Sequence, residues 1–355
     1  MLNANDDNLY KLYIEPSSRC NLECTMCFRN TWIDEEFADM KRSVLEKILD
    51  SIPDSVNTIF FGGMGEPLIH EDIISMVSHA SSLGKRIELL TNGMLLTSEM
   101  SSALLDAGLC KLWMSLDSVN DSSYASIRQH SSLPQVLQNI TDFNTERARY
   151  GNIELGLAFV AMKSNISQLG NISFFAQQYG FCDINVSNML PTDFDSVEES
   201  LASRIVNLGL GTQGAAPKIS LPPMDMKIEG VSSSLEALRP LRYCKFIAEG
   251  MSFVRHDGEV SPCMALLHSG HTFLEKKKRI VHRHSFGNVG SMGLDEIWNS
   301  GEYTAFRKRV REFDFSPCTQ CGGCDYRDEN LSDCFGNSKP TCGACLWSEG
   351  VLSCP

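Results

Sequence analysis

The chain has 355 residues, with 31 Lys and Arg against 44 Asp and Glu, a formal net charge of −13. That acidic balance argues against a nucleic-acid binder, which needs a basic face, and 43% hydrophobic with 21% charged residues excludes a disordered or fibrous chain. No apolar run approaches the ~20 residues of a membrane helix. The opening MLNANDDNLYKLYIEP lacks the basic and apolar regions of a signal peptide, so a cytoplasmic location is expected. In a chain this long, able to bury an ample core, 14 cysteines point to metal ligation or redox chemistry rather than disulfide staples.

Six short apolar runs, at residues 10–14, 58–61, 87–90, 112–115, 155–160 and 183–186, alternate with amphipathic stretches at 40–51, 72–83, 98–107, 133–150 and 166–179. The alternation predicts βαβ units and a parallel sheet. The fold class is therefore α/β, a partial (β/α)6 TIM-like barrel whose chemistry belongs at the C-terminal ends of its strands. The motifs fall at those ends. Cys20, Cys24 and Cys27 follow the first strand, Gly62-Gly63-Met64-Gly65-Glu66-Pro67 the second, and Thr91-Asn92-Gly93 the third. Ser115-Leu116-Asp117 ends the fourth, and Asn188 follows the sixth. A Ser-, Gly- and Pro-rich stretch from 192 to 234 reads as an excursion or linker. Cys110 and Cys182 stand alone at the starts of apolar strands and read as small buried hydrophobes, whereas nine cysteines crowd the chain beyond residue 240. The expected organisation is a barrel over 1–195, a linker over 196–240 and a small cysteine-rich domain over 241–355.

The front trio spaces three thiolates four and three residues apart in a loop. Three thiolates hold three corners of a cubane and leave its fourth iron open, whereas a structural zinc site closes on four ligands. A zinc knuckle that borrows a fourth ligand is the alternative. Taken singly, GGMGEP is a turn with a helix start, Asp117 and Arg128 are charges, and Ser115 is a strand residue. Their order along successive strand ends joins them.

Together these segments resemble the radical S-adenosylmethionine (radical SAM) superfamily. The resemblance spans roughly residues 9–190 and implies that Cys20, Cys24 and Cys27 hold a [4Fe–4S] cluster whose open iron chelates SAM. It implies that Gly63, Gly65 and Glu66 meet the methionine amino group, and that Asn92 and Asn188 line the same mouth. Ser115 and Asp117 would meet the ribose or carboxylate. Arg128, in Tyr124-Ala-Ser-Ile-Arg128, would pair with the SAM carboxylate, a task suited to its planar fork. Asn165 opens the helix after the fifth strand. Met26 stands where the family often has an aromatic residue, and its thioether can still pack against adenine. The implied chemistry is one-electron cleavage of SAM to methionine and a 5′-deoxyadenosyl radical, with oxygen sensitivity as a consequence of the open cluster.

Cys244, thirteen residues, Gly258, four residues and Cys263 resemble the opening of the SPASM domain, with Gly258 in the Asp-Gly turn of a hairpin. Cys318-x2-Cys321 fits its next element. Cys324 then comes after two residues rather than five, and Cys334, Cys342, Cys345 and Cys354 follow in an order of their own. That ending resembles radical SAM/SPASM maturases of tungsten-cofactor oxidoreductases. Two four-cysteine cubanes need eight thiolates, so one or two auxiliary [4Fe–4S] clusters fit nine cysteines. The resemblance assigns Cys244 and Cys263 to the nearer cluster and Cys318 and Cys321 to the farther, with the other five undivided. Zinc sites in the tail are the alternative. Five of the eight histidines lie between His256 and His284, beside the basic run Lys276–Arg279. This is either a basic patch for a phosphorylated cofactor or acidic partner, or a solvated loop.

The leading expectation is a radical SAM maturase of a tungsten oxidoreductase or its cofactor, reduced by a low-potential ferredoxin or flavodoxin. A second is a SPASM enzyme that modifies a protein or peptide, by thioether or carbon crosslinking or by oxidation of Cys or Ser. A third, of another class, is a non-catalytic cysteine-rich metal-binding scaffold.

Overall fold

The computed structural model describes residues 7–33, 35–201, 227–229, 242–274, 277–320, 324–350, 352 and 354. Most of the linker expected over 196–240 therefore lies outside the described residues, as do Cys321 and Lys276.

Strand β1 (Lys11–Ile14) leads into the cysteine loop, which contains the two-residue β2 (Glu23–Cys24). Helix α1 (Arg42–Asp50), β3 (Thr58–Phe61), α2 (Ile73–Ser82), β4 (Arg86–Thr91), α3 (Ser98–Asp106) and β5 (Leu109–Ser115) follow. After α4 (Asp121–Ile127) and the short β6 (Arg128–Gln129) come α5 (Leu133–Arg147), β7 (Glu154–Ala161), α6 (Leu169–Gln178), β8 (Asp183–Asn188) and α7 (Phe194–Glu199). All six expected strands and five expected helices are present. The expected helix over 133–150 stops at Arg147, and the one over 166–179 begins as a 3-10 turn, Ile166–Gln168. Helix α4 went unread because its seven residues carry no apolar period. It is fixed instead by Asn120, whose Oδ1 accepts the Ser123 N–H at 3.2 Å.

Strand β9 (Lys227–Glu229) and the tail strands β10 (Met251–Val254) and β11 (Val260–Ser261) complete one nine-stranded sheet, ordered β11-β10-β1-β3-β4-β5-β7-β8-β9. Strand β10 runs parallel to β1, in register from Lys11↔Met251 to Ile14↔Val254, and turns antiparallel into β11. The tail thus supplies the barrel sheet with its edge beyond β1. The rest of the tail comprises α8 (Lys245–Ala248), which starts at Cys244, the hairpin β12 (Gly270–Leu274) and β13 (Lys277–Val281), α9 (Leu294–Trp298) and α10 (Gly301–Glu312). The basic run is strand rather than loop. Lys277 and Lys278 are exposed, and Arg279 turns inward.

The period-two alternation of the strands sorts two cores. Leu12, Ile14, Ile59, Phe61, Leu89, Leu112 and Leu157 face the helices. Tyr13, Phe60 and Trp113 point to the other face, where the tail's Phe246, Met251 and Phe253 meet them. Tyr13 stacks on Phe253 with centroids 4.3 Å apart. Toward the opposite end of the strands from the motifs, Lys11 Nζ pairs with Glu88 Oε2 at 3.1 Å.

A buried clamp joins the start of the chain to the tail helices. Arg307, fully buried on α10, donates from Nε and Nη2 to the two Asp7 oxygens at 2.9 and 2.6 Å and from Nη1 to the Trp298 carbonyl at 2.6 Å. Burial works against the Asp7 charge, but Arg307 and Arg311 hold its pKa below the ordinary value. Asp7→Asn should therefore destabilise the chain by about 1–3 kcal/mol, the cost of leaving buried donors poorly satisfied. A carboxylate held below its ordinary pKa stabilises fully above the ordinary carboxylate range and loses that contribution as pH falls through the folded-state value. The difference between wild type and D7N, read as apparent Tm against pH, should be largest near neutrality and shrink in acid.

Candidate functional site

The cysteine loop is folded by its own backbone before any metal is considered. The Cys27 N–H donates to the Cys24 carbonyl at 3.1 Å, and Arg29 Nη2 braces the Leu22 carbonyl at 3.0 Å. Strand β2 pairs antiparallel with β6, so that Cys24 stands directly opposite Arg128, 104 positions along the chain. No sequence period announces a two-residue ladder, and this cross-strand pair was not read beforehand. The three thiols lie in electrostatic range of one another. Burial raises the Cys24 thiol, Arg128 opposes it, and Asp117, Cys27 and Cys20 reinforce it, leaving it at about 11. Yet the trio is not among the sets of three ligand atoms that converge within 4.8 Å in the described residues. A single zinc ion would draw its sulfurs to about 3.8 Å, from Zn–S bonds of about 2.3 Å. The wider spacing fits a cubane, whose larger body separates its ligands.

The glycine-rich segment closes on this loop. A Cβ on Gly65 would stand 2.1 Å from the Ser17 carbonyl oxygen and 2.6 Å from that of Arg19, and one on Gly63, at φ +153°, would stand 2.8 Å from Glu15 Cγ. Glu66 is fully buried. Its Oε1 accepts the Leu68 N–H at 3.0 Å and the Thr91 hydroxyl at 2.8 Å, and its Oε2 accepts the Asn92 N–H at 2.8 Å. Burial raises its pKa against those three donors. In this structure Glu66 holds the ends of β3 and β4 together. Asn92 then reaches the cysteine loop, with Nδ2 2.9 Å from Asn21 Oδ1 and 3.7 Å from Cys20 Sγ.

On the opposite rim, Asp117 is fully buried beyond β5. Its Oδ1 accepts the Val160 N–H at 2.8 Å, and Arg128 Nη2 lies 2.7 Å from its Oδ2, an ion pair set off the hydrogen-bonding direction. Arg128 Nε is buried and has no hydrogen-bond partner among the described residues. An orphaned guanidinium donor beside the cysteine loop fits an added carboxylate. Ser115 and Asn188 sit half-buried at the ends of β5 and β8. Asn165 is buried and ties the Asp117 and Val160 carbonyls at 2.9 Å each. Met26 packs with Ile127, Met162 and Met189 into an apolar wall beside these polar groups.

In the tail, Cys244, Cys263, Cys342 and Cys345 lie in electrostatic range of one another. Burial, then Cys345, pushes the Cys244 thiol up to about 12, and burial drives the Cys263 and Cys342 thiols well above their ordinary value. Four half-buried thiols that face one another, with Arg309 and Arg279 beside Cys342, are a donor set suited to metal ions. Cys318 is buried and opens a 3-10 turn (Cys318–Gln320), with Cys334 as a neighbouring thiol, and Cys324 caps the start of the next turn (Asp325–Arg327). Cys334 is exposed. Cys354 shares an apolar cluster with Cys244 and Cys263, but its sulfur accepts the Trp347 Nε1–H at 3.4 Å and lies 3.7 Å from Met264 Sδ. Cys110 and Cys182 contact the Gly108 and Leu155 carbonyls at 3.6 and 3.3 Å, on β5 and just before β8, away from the strand ends that carry the motifs.

Residues 14–147 match the radical SAM superfamily, and residues 244–325 match SPASM, an iron–sulfur cluster-binding domain. The chain is 32% identical over 357 residues to the tungsten-containing aldehyde ferredoxin oxidoreductase cofactor-modifying protein of Pyrococcus furiosus, across 97% of this chain and 96% of the relative. It is 25% identical to a PqqA peptide cyclase of Bradyrhizobium diazoefficiens, across 93% and 84%. In fold it is similar to Streptococcus suis SuiB bound to S-adenosylmethionine, with a TM-score of 0.59 at 18% identity over 89% of this chain and 71% of that one. It is likewise similar to anSMEcpe with bound AdoMet, with a TM-score of 0.56 at 17% identity over 94% and 91%. Among the described residues no helix is long and apolar enough to cross a membrane.

The backbone contacts around Gly65 generate a direct test. Gly65→Ala forces a Cβ into two carbonyl oxygens that cannot swing away, so it should cost about 1–3 kcal/mol and displace the cysteine loop. The front-site iron measured after anaerobic reconstitution should fall. Gly170→Ala, on α6 with nothing within 4 Å of the added carbon, should leave iron unchanged and be neutral or slightly stabilising.

Proposed function

We propose, for a chain that belongs to the radical SAM superfamily and carries a SPASM iron–sulfur domain, that it matures the tungsten cofactor of an aldehyde oxidoreductase-type enzyme. The observation that carries this reading is a 32% identical relative of that designation, matched end to end rather than over the barrel alone. The chain is an enzyme dependent on a [4Fe–4S] cluster and SAM, with auxiliary iron–sulfur ligation in its tail. When bound, these groups supply one-electron cleavage of the S–C5′ bond and hydrogen-atom abstraction.

The chain's own residues would divide the work as follows. Cys20, Cys24 and Cys27 hold three irons of the front cluster. Arg128 offers its free Nε to the SAM carboxylate, while Asp117 keeps the guanidinium charged and in place. Backbone groups of Gly63 to Gly65 present the amino end, with Glu66 acting through the strand ends it joins. Ser115 and Asn188 face the ribose, and Met26, Met162 and Met189 form the apolar wall for adenine. The aromatic packing of Tyr13, Phe60, Trp113 and Phe253 closes the barrel below and excludes water from that side. In the tail, Cys244, Cys263, Cys342 and Cys345 form the nearer ligand set, and Cys318, Cys321, Cys324 and Cys334 the farther. Cytoplasmic placement and reduction by a low-potential ferredoxin or flavodoxin complete the reading.

The peptide cyclase relative favours a second reading, modification of a peptide or protein. One measurement tests the chemistry that both readings share, and a second separates them. Protein purified without oxygen should carry about twelve irons and release 5′-deoxyadenosine from SAM under reduction. Cys24→Ala should lose about four irons and that release. In a strain lacking the chain, the tungsten cofactor extracted from the partner oxidoreductase should differ in mass from wild type. An unchanged cofactor and unchanged oxidoreductase activity would reject the maturase role, and a modified peptide missing from the deletion strain would select the second reading.

A further inference from the structure

A second polar cluster lies behind the glycine-rich segment, and the reading above does not use it. Glu15 follows β1 and is buried. His268 Nε2 stands 2.9 Å from both of its oxygens, and His256 Nδ1 is 3.2 Å from Oε2. The carboxylate and the two ring nitrogens converge within 4.8 Å. Both histidines come from the tail, His256 from the β10–β11 turn and His268 from the chain after Cys263. They were two of the five histidines in the basic stretch.

We propose that Glu15, His256 and His268 bind a divalent cation of the zinc type. Two imidazoles and one carboxylate are a ligand set such ions take, with a fourth position left for water or a substrate oxygen. The surroundings are those of a built site. His268 turns its other nitrogen, Nδ1, to Glu35 Oε2 at 3.2 Å, so a carboxylate orients the ring from behind. Glu35 is itself fixed by the Ser269 N–H at 2.9 Å and by Arg255 Nη1 at 3.1 Å. Trp32 stacks on the His268 ring with centroids 4.0 Å apart, which sets its plane. The Met64 N–H donates to Glu15 Oε1 at 3.2 Å, which places the ion against the glycine-rich segment.

The contrast with the other convergent set sharpens the argument. Glu154, Cys182 and Asp183 also converge. There, Lys111 Nζ already pairs with Asp183 and with Glu154 at 3.3 Å, and Arg86 Nη2 with Glu154 at 2.9 Å, so the negative charge is matched by fixed cations. Glu15 has no lysine or arginine within ion-pair distance among the described residues, and its partners are the two imidazoles. An imidazole ring nitrogen can ligate a metal, which a guanidinium or ammonium cannot.

The test uses zinc chloride as the probe on full-length, cluster-loaded protein, desalted without oxygen after one equivalent is added. Zinc binds such a site more tightly than ferrous iron does. We expect about one retained zinc with a nitrogen and oxygen shell at about 2.0–2.1 Å by X-ray absorption. His256→Ala and Glu15→Gln should each lose it, with iron content and cluster absorbance unchanged. Glu35→Gln should weaken zinc affinity by about 10–100-fold. No retained zinc, a sulfur shell at about 2.3 Å, or zinc kept in both H256A and E15Q would overturn the proposal. The wild-type absorption measurement stands even if a variant fails to fold. Since neither readout involves SAM cleavage or the tungsten cofactor, failure here is distinct from failure of the maturase reading.

Discussion

A buried carboxylate must be given back the hydrogen bonds it loses with water, and Glu66 obtains them from two different strand ends. Its acceptors bind Leu68 beyond β3 and Thr91 and Asn92 at the end of β4, while its own N–H donates to the Arg19 carbonyl at 2.8 Å in the cysteine loop. One residue thereby ties two strand ends through its side chain and the cysteine loop through its backbone. Asn92, held by that bond, projects to Cys20 and Asn21. The position of the cysteine loop thus follows from satisfying a buried charge, and the close approach at Gly65 follows from it too. The loop and the glycine-rich segment touch backbone to backbone because nothing larger fits between them.

The sequence disclosed the strands well for the same physical reason that a parallel barrel exists. Strands covered on both faces read as short apolar runs, as TIFF and LCKLWMS do, and their motifs mark the ends that face the mouth. What stayed hidden was long-range and small. The pairing of Cys24 with Arg128 involves two residues on each side, too few for any period. The alignment of β10 beside β1 could not be read, because Met251–Val254 announces only a hairpin with β11 and carries no mark of a parallel partner some 240 residues earlier. The basic run misled in one particular. Arg279 alternates inward along β13 while its neighbours stay exposed, a consequence of strand period that a loop assignment could not anticipate.

That inward turn has an electrostatic consequence. Burial lowers the Arg279 pKa, while Cys345, Cys318 and Cys342 work in the other direction, so the guanidinium lies in range of both tail cysteine groups. Its Nε is committed to the Arg327 carbonyl at 3.1 Å. A buried cation so placed stabilises negative charge on either group. In a chain of net charge −13, local cations of this kind offset the cost of gathering thiolates out of water.

The described tail cysteines differ in their surroundings as well as in their spacing. Cys244, Cys263, Cys318 and Cys342 each have another thiol among the groups acting on them, and one buried tail cysteine does not. Cys354 meets that description. Burial raises its pKa while the Trp347 indole N–H, Lys245 and Lys11 oppose that, and its sulfur rests against the Met264 thioether. Cys244 and Cys263, in the same apolar cluster, face Cys345 instead. The same β10 register that brings Phe253 onto Tyr13 also lays Cys244, Cys263 and Cys354 into one apolar cluster with them. It is this register, and not the order of cysteines along the chain, that sets the tail against the second face of the barrel sheet.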